Sequence, residues 1–271
     1  MNARAIAAVV RRDLTVIRSS KSVLLPMIFV PLIIVIVVPS AAGLIAYLPL
    51  DEHELEGVTG LLSELPRTVR SDLDGGGAAL VAEFVVTYLA APLYLLVPLV
   101  VAQVIAADSI AGERDRGTLE GVLLTPVSDR ELLAAKLLAA WIPATLVGLG
   151  GGVVYSIVAD VTLWPAVHHL VLPNVTWVLL VVWLAPALSA AALAVTVLIS
   201  ARARTFQGAQ QIAGFCTLPV VFLLVSQVNG LLLLGSWLVL AAGALLWAVA
   251  ACLVFLGART ITRARLGARL G

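Results

Sequence analysis

Six stretches of this chain stay apolar over the length that a membrane-spanning helix requires, and no other feature constrains the fold as tightly. They run over about 23–48, 84–107, 132–158, 177–199, 212–228 and 235–258, the fifth being the shortest. Crossing the ~30 Å hydrocarbon core takes about 20 such residues. Of the 271 residues, 61% are hydrophobic and 12% charged, where soluble domains carry about 25% charged residues. No aqueous core absorbs that much apolar surface. The expected fold is therefore all-α and integral to the membrane, a single transmembrane domain over residues 1–271. Prolines inside the stretches (Pro31, Pro92, Pro98, Pro143, Pro186 and Pro219) do not argue against this. Neighbouring helices in a bilayer re-satisfy the carbonyls that proline frees. The first stretch is too long for a signal peptide, whose apolar region is about 7–15 residues, so a retained helix is expected.

Charge orients the helices. Of the 17 Lys and Arg residues, all but Arg67 and Arg70 fall in the N-terminal segment, the second-to-third connection, the fourth-to-fifth connection or the tail. The first-to-second connection, 50–83, carries the acids Asp51, Glu52, Glu54, Glu56, Glu64, Asp72, Asp74 and Glu83 instead. The excess of Lys and Arg on cytoplasmic loops puts both termini inside, with 50–83 outside. An odd number of spans would split the basic segments between the two faces, so charge parity also supports six. In the outer loop, Leu55, Val58, Leu61, Leu62 and Leu65 recur at helical spacing, and Asp74-Gly75-Gly76-Gly77 breaks the pattern. Asn174-Val175-Thr176 is a formal glycosylation sequon, a weak signal by itself.

Residues 1–21 read as an amphipathic helix lying in the cytoplasmic interface. Ile6, Val9, Val10, Leu14 and Ile17 share one face, with Arg4, Arg11 and Arg18 opposite. Asp13 interrupts the apolar face. It is either a lone carboxylate reaching for water or one partner of a salt bridge to the second-to-third connection.

The most informative run is Gly112-Glu113-Arg114-Asp115-Arg116-Gly117-Thr118-Leu119-Glu120-Gly121-Val122-Leu123-Leu124-Thr125-Pro126-Val127-Ser128-Asp129-Arg130-Glu131. Glu113 to Arg116 are expected to carry the second helix into water as a charged end. Gly117 permits a sharp reversal. Thr118 is a candidate N-cap for a short helix with Leu119, Val122 and Leu123 on one face. Pro126 disfavours helix at Thr125 and stops it. Ser128 and Glu131 have the spacing of a capping box that starts the third helix. The segment 108–131 thus reads as cytoplasmic, with a short helix across the mouth of the bundle that is apolar on one side.

This run resembles the signature of the ABC-2 type permeases, the exporter-class membrane subunits of ABC transporters. Arg12-Asp13-Leu14, with Arg18 following, is similar to the family's amphipathic connecting helix, and six spans with both ends inside agree with it. Ala135-Lys136 departs from the glycine that often precedes this lysine in the family. The resemblance implies that the segment is a coupling helix held by a separate ATPase subunit. Glu113, Arg114, Arg116, Gly117, Thr118, Leu119, Glu120, Val122, Leu123, Thr125 and Pro126 would form that interface. Arg11, Arg12 and Asp13 would belong to the interfacial helix, and Arg202 and Arg204 to a second cytoplasmic contact or to a mere marker of the inner face. It implies further a second permease copy or a paralogue, and a multi-pass location in the inner (plasma) membrane.

No catalytic residue, metal site or nucleic-acid partner is expected. The sequence holds no Gly-x-x-x-x-Gly-Lys-Ser/Thr loop, so ATP and Mg would bind to the partner ATPase. Gly148 to Gly152 lies mid-span and reads as close helix packing. Cys216 and Cys252 read as small apolar fillers. Two rival readings stand beside a permease. A secondary transporter would carry ionisable groups deep in its spans, where this sequence offers mainly Gln103, Thr196, Thr217 and Gln227. A non-transporting scaffold subunit is the other. His168 and His169 lack a nucleophile–base arrangement for hydrolysis. Walls of Leu, Val and Ala suit lipids, amphipathic drugs or peptides better than a bare ion.

Overall fold

Helices that are apolar all round must be buried or face lipid, and six helices here are long and apolar enough to cross a membrane. In the computed structural model, which describes residues 3–48, 77–118, 128–200, 203, 205–228 and 235–260, they follow an amphipathic helix α1 (Ala3–Ser19). They are α2 (Val23–Tyr47), α3 (Ala78–Asp115), α4 (Asp129–Val167), α5 (Val175–Ser200), α6 (Phe206–Ser226) and α7 (Ser236–Ala258). No strand occurs among the described residues. α3 and α5 are the most buried, α4 is intermediate, and α2, α6 and α7 keep most of their surface open. The bundle is built accordingly. α3, α4 and α5 pack on one another at its centre, α2 lies on α3 and α4, α6 on α3 and α5, and α7 mainly on α5.

Several helices extend beyond their apolar stretches. α3 starts at Ala78, so residues 78–83 of the expected connection are its first turns, and it continues to Asp115. α4 runs on to Val167, and α6 begins at Phe206. Polar residues at these ends continue the helix without continuing the hydropathy. The connections 49–76, 119–127 and 229–234, with the leucine pattern at 55–65, the helix expected at 118–125 and Arg202 and Arg204, lie outside the described residues.

Most of the irregularities lie just ahead of prolines. A proline ring removes one backbone hydrogen bond and crowds the carbonyl four residues back. The π turns Ile33–Val37, Val85–Leu89 and Leu180–Leu184 precede Pro39, Pro92 and Pro186, and a 3-10 turn, Gly214–Thr217, precedes Pro219. Within the bundle the Tyr155 hydroxyl donates to Val86 O at 2.9 Å. The Tyr94 hydroxyl donates to Gly148 O. Both rings pack on Trp177, at 4.9 Å for Tyr94 and 4.6 Å for Tyr155. The glycine run of α4 lies beside this aromatic core. A Cβ on Gly152 would meet Val181 at 2.6 Å, and one on Gly148 would meet Pro98 at 3.0 Å. Asn174, from the sequon, is the N-cap of α5; its side-chain oxygen accepts from Trp177 N at 2.7 Å.

Candidate functional site at the junction of α3 and α4

Near its end α3 takes a π turn, Asp108–Gly112. The extra residue leaves backbone groups unmatched, and Ser200, the last residue of α5, takes up two of them. Its hydroxyl donates to Ala107 O and accepts from Ala111 N, both at 2.9 Å. One turn on, Arg116 reaches back along α3 and clasps Asp108 through two bonds, Nη1–Oδ1 at 2.7 Å and Nη2–Oδ2 at 3.1 Å. Such two-pronged carboxylate contacts are strong and directional. Hydrogen bonding to Asp108 holds the Arg116 guanidinium above its ordinary pKa. This pair passes over Gly112, where a Cβ would lie 2.0 Å from Asp108 Oδ1. The glycine that opens the motif is thus required by the ion pair crossing it.

The next layer is an ion cluster shared by three helices. Lys136, in the second turn of α4, is only 3% exposed. Its ammonium has three protons to donate, and three acceptors surround it: Ser109 O at 2.5 Å, Glu113 Oε2 at 2.8 Å and Asp13 Oδ2 at 3.5 Å. Glu113 and Asp13 are themselves buried. Arg12, half-exposed on α1, adds a 3.3 Å contact to Glu113 Oε1. Buried charges persist only when paired, so this cluster fixes α1, the end of α3 and the start of α4 relative to one another. Val9 of α1 packs beside it on Leu132 and Ala135 of α4. Arg114 donates to the carbonyl of Ala203, just past α5.

Both edges of the connection are capped. α3 stops in a Schellman motif: Thr118 N donates to Glu113 O at 2.8 Å and Gly117 N to Arg114 O at 3.0 Å. Gly117 has φ +70°, which side chains rarely adopt. On the other edge Ser128 caps α4. Its hydroxyl accepts from Glu131 N at 3.4 Å, while Glu131 Oε2 accepts from Ser128 N at 3.1 Å.

A family model described as "ABC-2 family transporter protein" matches residues 7–235. The chain belongs to this family. Among curated proteins, none matches it. This ABC-2 chain is accordingly a multi-pass membrane protein and a transporter permease, a membrane subunit by family.

Of the sequence-derived residues, the ABC-2 permease brings Arg12, Asp13 and Glu113 together at this junction, with Arg114 and Arg116 at its margin. Glu113 does not extend into water as a charged end. It is 5% exposed, because the π turn and Lys136 draw it inward. The Thr118 hydroxyl donates back to Glu113 O at 3.2 Å, and the helix it is expected to cap lies outside the described residues. Asp13 is no lone carboxylate but a partner of Lys136. Arg11 is exposed on α1. Leu119, Glu120, Val122, Leu123, Thr125 and Pro126 lie outside the described residues. Reading the sequence passed over Asp108, Gly112, Ser200 and the buried role of Lys136. One signal was available. Lys136 is the lone charge in an apolar run and Asp13 the lone acid on an apolar face, and two such orphans of opposite sign call for each other.

Proposed function

We propose that this chain is the membrane subunit of an ATP-driven ABC exporter, seated in the plasma (inner) membrane with both termini in the cytoplasm. A separate ATPase binds ATP and Mg and holds the segment 119–127. Two permease copies, or this chain and a paralogue, form the translocation pathway. The open apolar faces of α2 and α6 are our choice for the seam between them, with Phe29, Phe215 and Phe222 all exposed there. The observation that carries the reading is the mounting of the connection. Its two ends are capped, and the Lys136 cluster locks them to each other and to α1. A push on 119–127 therefore reaches three helices at once and is not lost in a flexible loop. The buried charged residues of the central helices also support an external energy source, because they sit near helix ends in paired arrangements: Glu83 with His169, Asp108 with Arg116, Glu113 with Lys136.

The decisive substitution is Leu123→Asp. Burying Leu119, Val122 and Leu123 in a partner contributes about 1.5–3 kcal/mol each if complete, whereas exposed ion pairs at the rim add only about 0–1 kcal/mol. Leu123→Asp should abolish co-purification with the ATPase and with it transport, while the six-helix protein still reaches the membrane. Retained ATPase binding and transport would reduce 119–127 to a plain connection.

A further inference from the structure

Away from the junction, α4, α5 and α7 border an open groove of about 720 Å³, within the usual ~300–1,000 Å³ of ligand sites. Its wall is apolar, with Leu137 and Trp141 from α4, Leu193 from α5, and Ala251 and Phe255 from α7. Arg130 is the one charged residue among the described residues lining it. It is exposed, in the first turn of α4, and belongs to none of the described ion pairs. Its neighbour Glu131 is engaged in the capping box with Ser128. At the far end the rings of Trp141 and Trp247 meet edge to face at 6.1 Å, and the Trp141 indole donates to Pro186 O at 3.1 Å, which fixes that ring.

The dimensions select an occupant. From Arg130 to Trp141 along α4 is about 16 Å at ~1.5 Å per residue, and from Ala258 to Trp247 along α7 is about the same. Lys136, at the polar boundary, divides this length: about 9 Å lies toward Arg130 and about 8 Å toward the core at ~1.5 Å per residue, so the groove joins the headgroup layer to the upper part of one leaflet. A helix from a second copy would ask for a groove through the whole core, whereas this one ends on the tryptophan pair within the leaflet on the Arg130 side. A cation at the water end and a short apolar slot below it fit an anionic head and the first part of an acyl chain. We propose that the α4–α5–α7 groove binds an anionic phospholipid from the leaflet on the Arg130 side, with its phosphate on Arg130 and one acyl chain against Trp141 and Trp247. The site requires six membrane spans and is independent of coupling to an ATPase.

The full chain would be reconstituted in phosphatidylcholine nanodiscs with a small fraction of phosphatidylglycerol carrying a diazirine midway along one acyl chain. After irradiation, the label should concentrate on peptides containing Trp141 and Trp247. It should exceed that from the matching phosphatidylcholine probe about fivefold, the gain typical of one basic residue at an anionic surface. Arg130→Gln should erase this headgroup preference and Arg130→Lys should keep it. Ala251→Phe, which fills the slot from its exposed wall, should remove the label from both tryptophan peptides. Equal labelling by the two probes overturns the proposal. So does labelling spread as strongly over peptides containing Phe29 or Phe222, or a cross-link joining two copies of the chain through the groove.

Discussion

Lys136 shows what one side chain can do at the end of a bundle. Together with Arg12 its ammonium balances Glu113 and Asp13, and it also supplies a donor to the Ser109 carbonyl in the π turn. Removing one member of a buried ion cluster typically costs about 3–5 kcal/mol, because the others remain charged, whereas replacing the partners together can be nearly neutral. Lys136→Met should therefore lower stability by about that amount, seen as a reduced thermal midpoint of the detergent-solubilised protein. Adding Glu113→Met should recover most of the loss. Losses that simply add would show that the two groups do not couple. The same cluster marks the limit of reading residues from sequence. Asp13 and Lys136 are 123 positions apart, so nothing local announces their contact. By contrast, Ser128 and Glu131 are three apart, and the sequence gives their capping box directly. Gly112 is an intermediate case: its glycine stands out, but its reason, the Asp108–Arg116 pair overhead, appears only once the π turn brings positions 108 and 116 onto one face.

Among the elements, the end of α3 is the most closely specified. Ser200 of α5, Lys136 of α4, Arg12 of α1 and the Ala203 carbonyl all bear on its last turns. The Gly117 reversal then aims the chain toward 119–127. Gly117 has open space around it, so a larger side chain meets no clash and acts only through its backbone preference at φ +70°. Such a non-glycine residue costs about 1–2 kcal/mol. Gly117→Val should leave the six spans assembled but misdirect the connection, and Gly117→Asn, which tolerates this conformation better, should do less harm. Both variants should be scored for ATPase co-purification and transport against their helical circular dichroism. Normal coupling in Gly117→Val would mean that the reversal does not set the direction of the segment. The elements themselves were legible from apolar length, since a bilayer leaves few alternatives to a helix. Their ends were not, because α3 carries Glu83, Asp108 and Glu113 past the apolar run and buries them, and α4 continues past its own run through the half-buried Asp160. Nor were the π turns, although each one lying ahead of a proline has a local cause in the sequence.

The whole molecule carries two levels of charge that match a bilayer. Along α3, Glu83 and Asp108 are about 37 Å apart at ~1.5 Å per residue, and along α4, Lys136 and Asp160 are about 36 Å apart. Each of the four is satisfied: Glu83 by His169 at 3.2 Å, Asp160 by Val171 N and Leu172 N at 2.9 and 3.0 Å, and Asp108 and Lys136 within the junction. A ~30 Å hydrocarbon layer fits between the two levels and leaves both at its polar boundaries. The level beside α1 also collects Arg4, Arg11, Arg12, Lys21, Arg114, Arg116 and Arg130, so the positive-inside rule predicts that this level faces the cytoplasm. Single cysteines at Ser71, Asp115 and Ala268, in a chain with Cys216 and Cys252 replaced by alanine, test this in intact cells. A membrane-impermeant maleimide should label the Ser71→Cys protein and leave Asp115→Cys and Ala268→Cys unlabelled until the membrane is opened. Labelling of Asp115→Cys in sealed cells would invert the molecule and take the 119–127 segment out of reach of any cytoplasmic ATPase. Labelling of Ala268→Cys alone would mean an odd number of crossings and leave the junction where the charge pattern puts it.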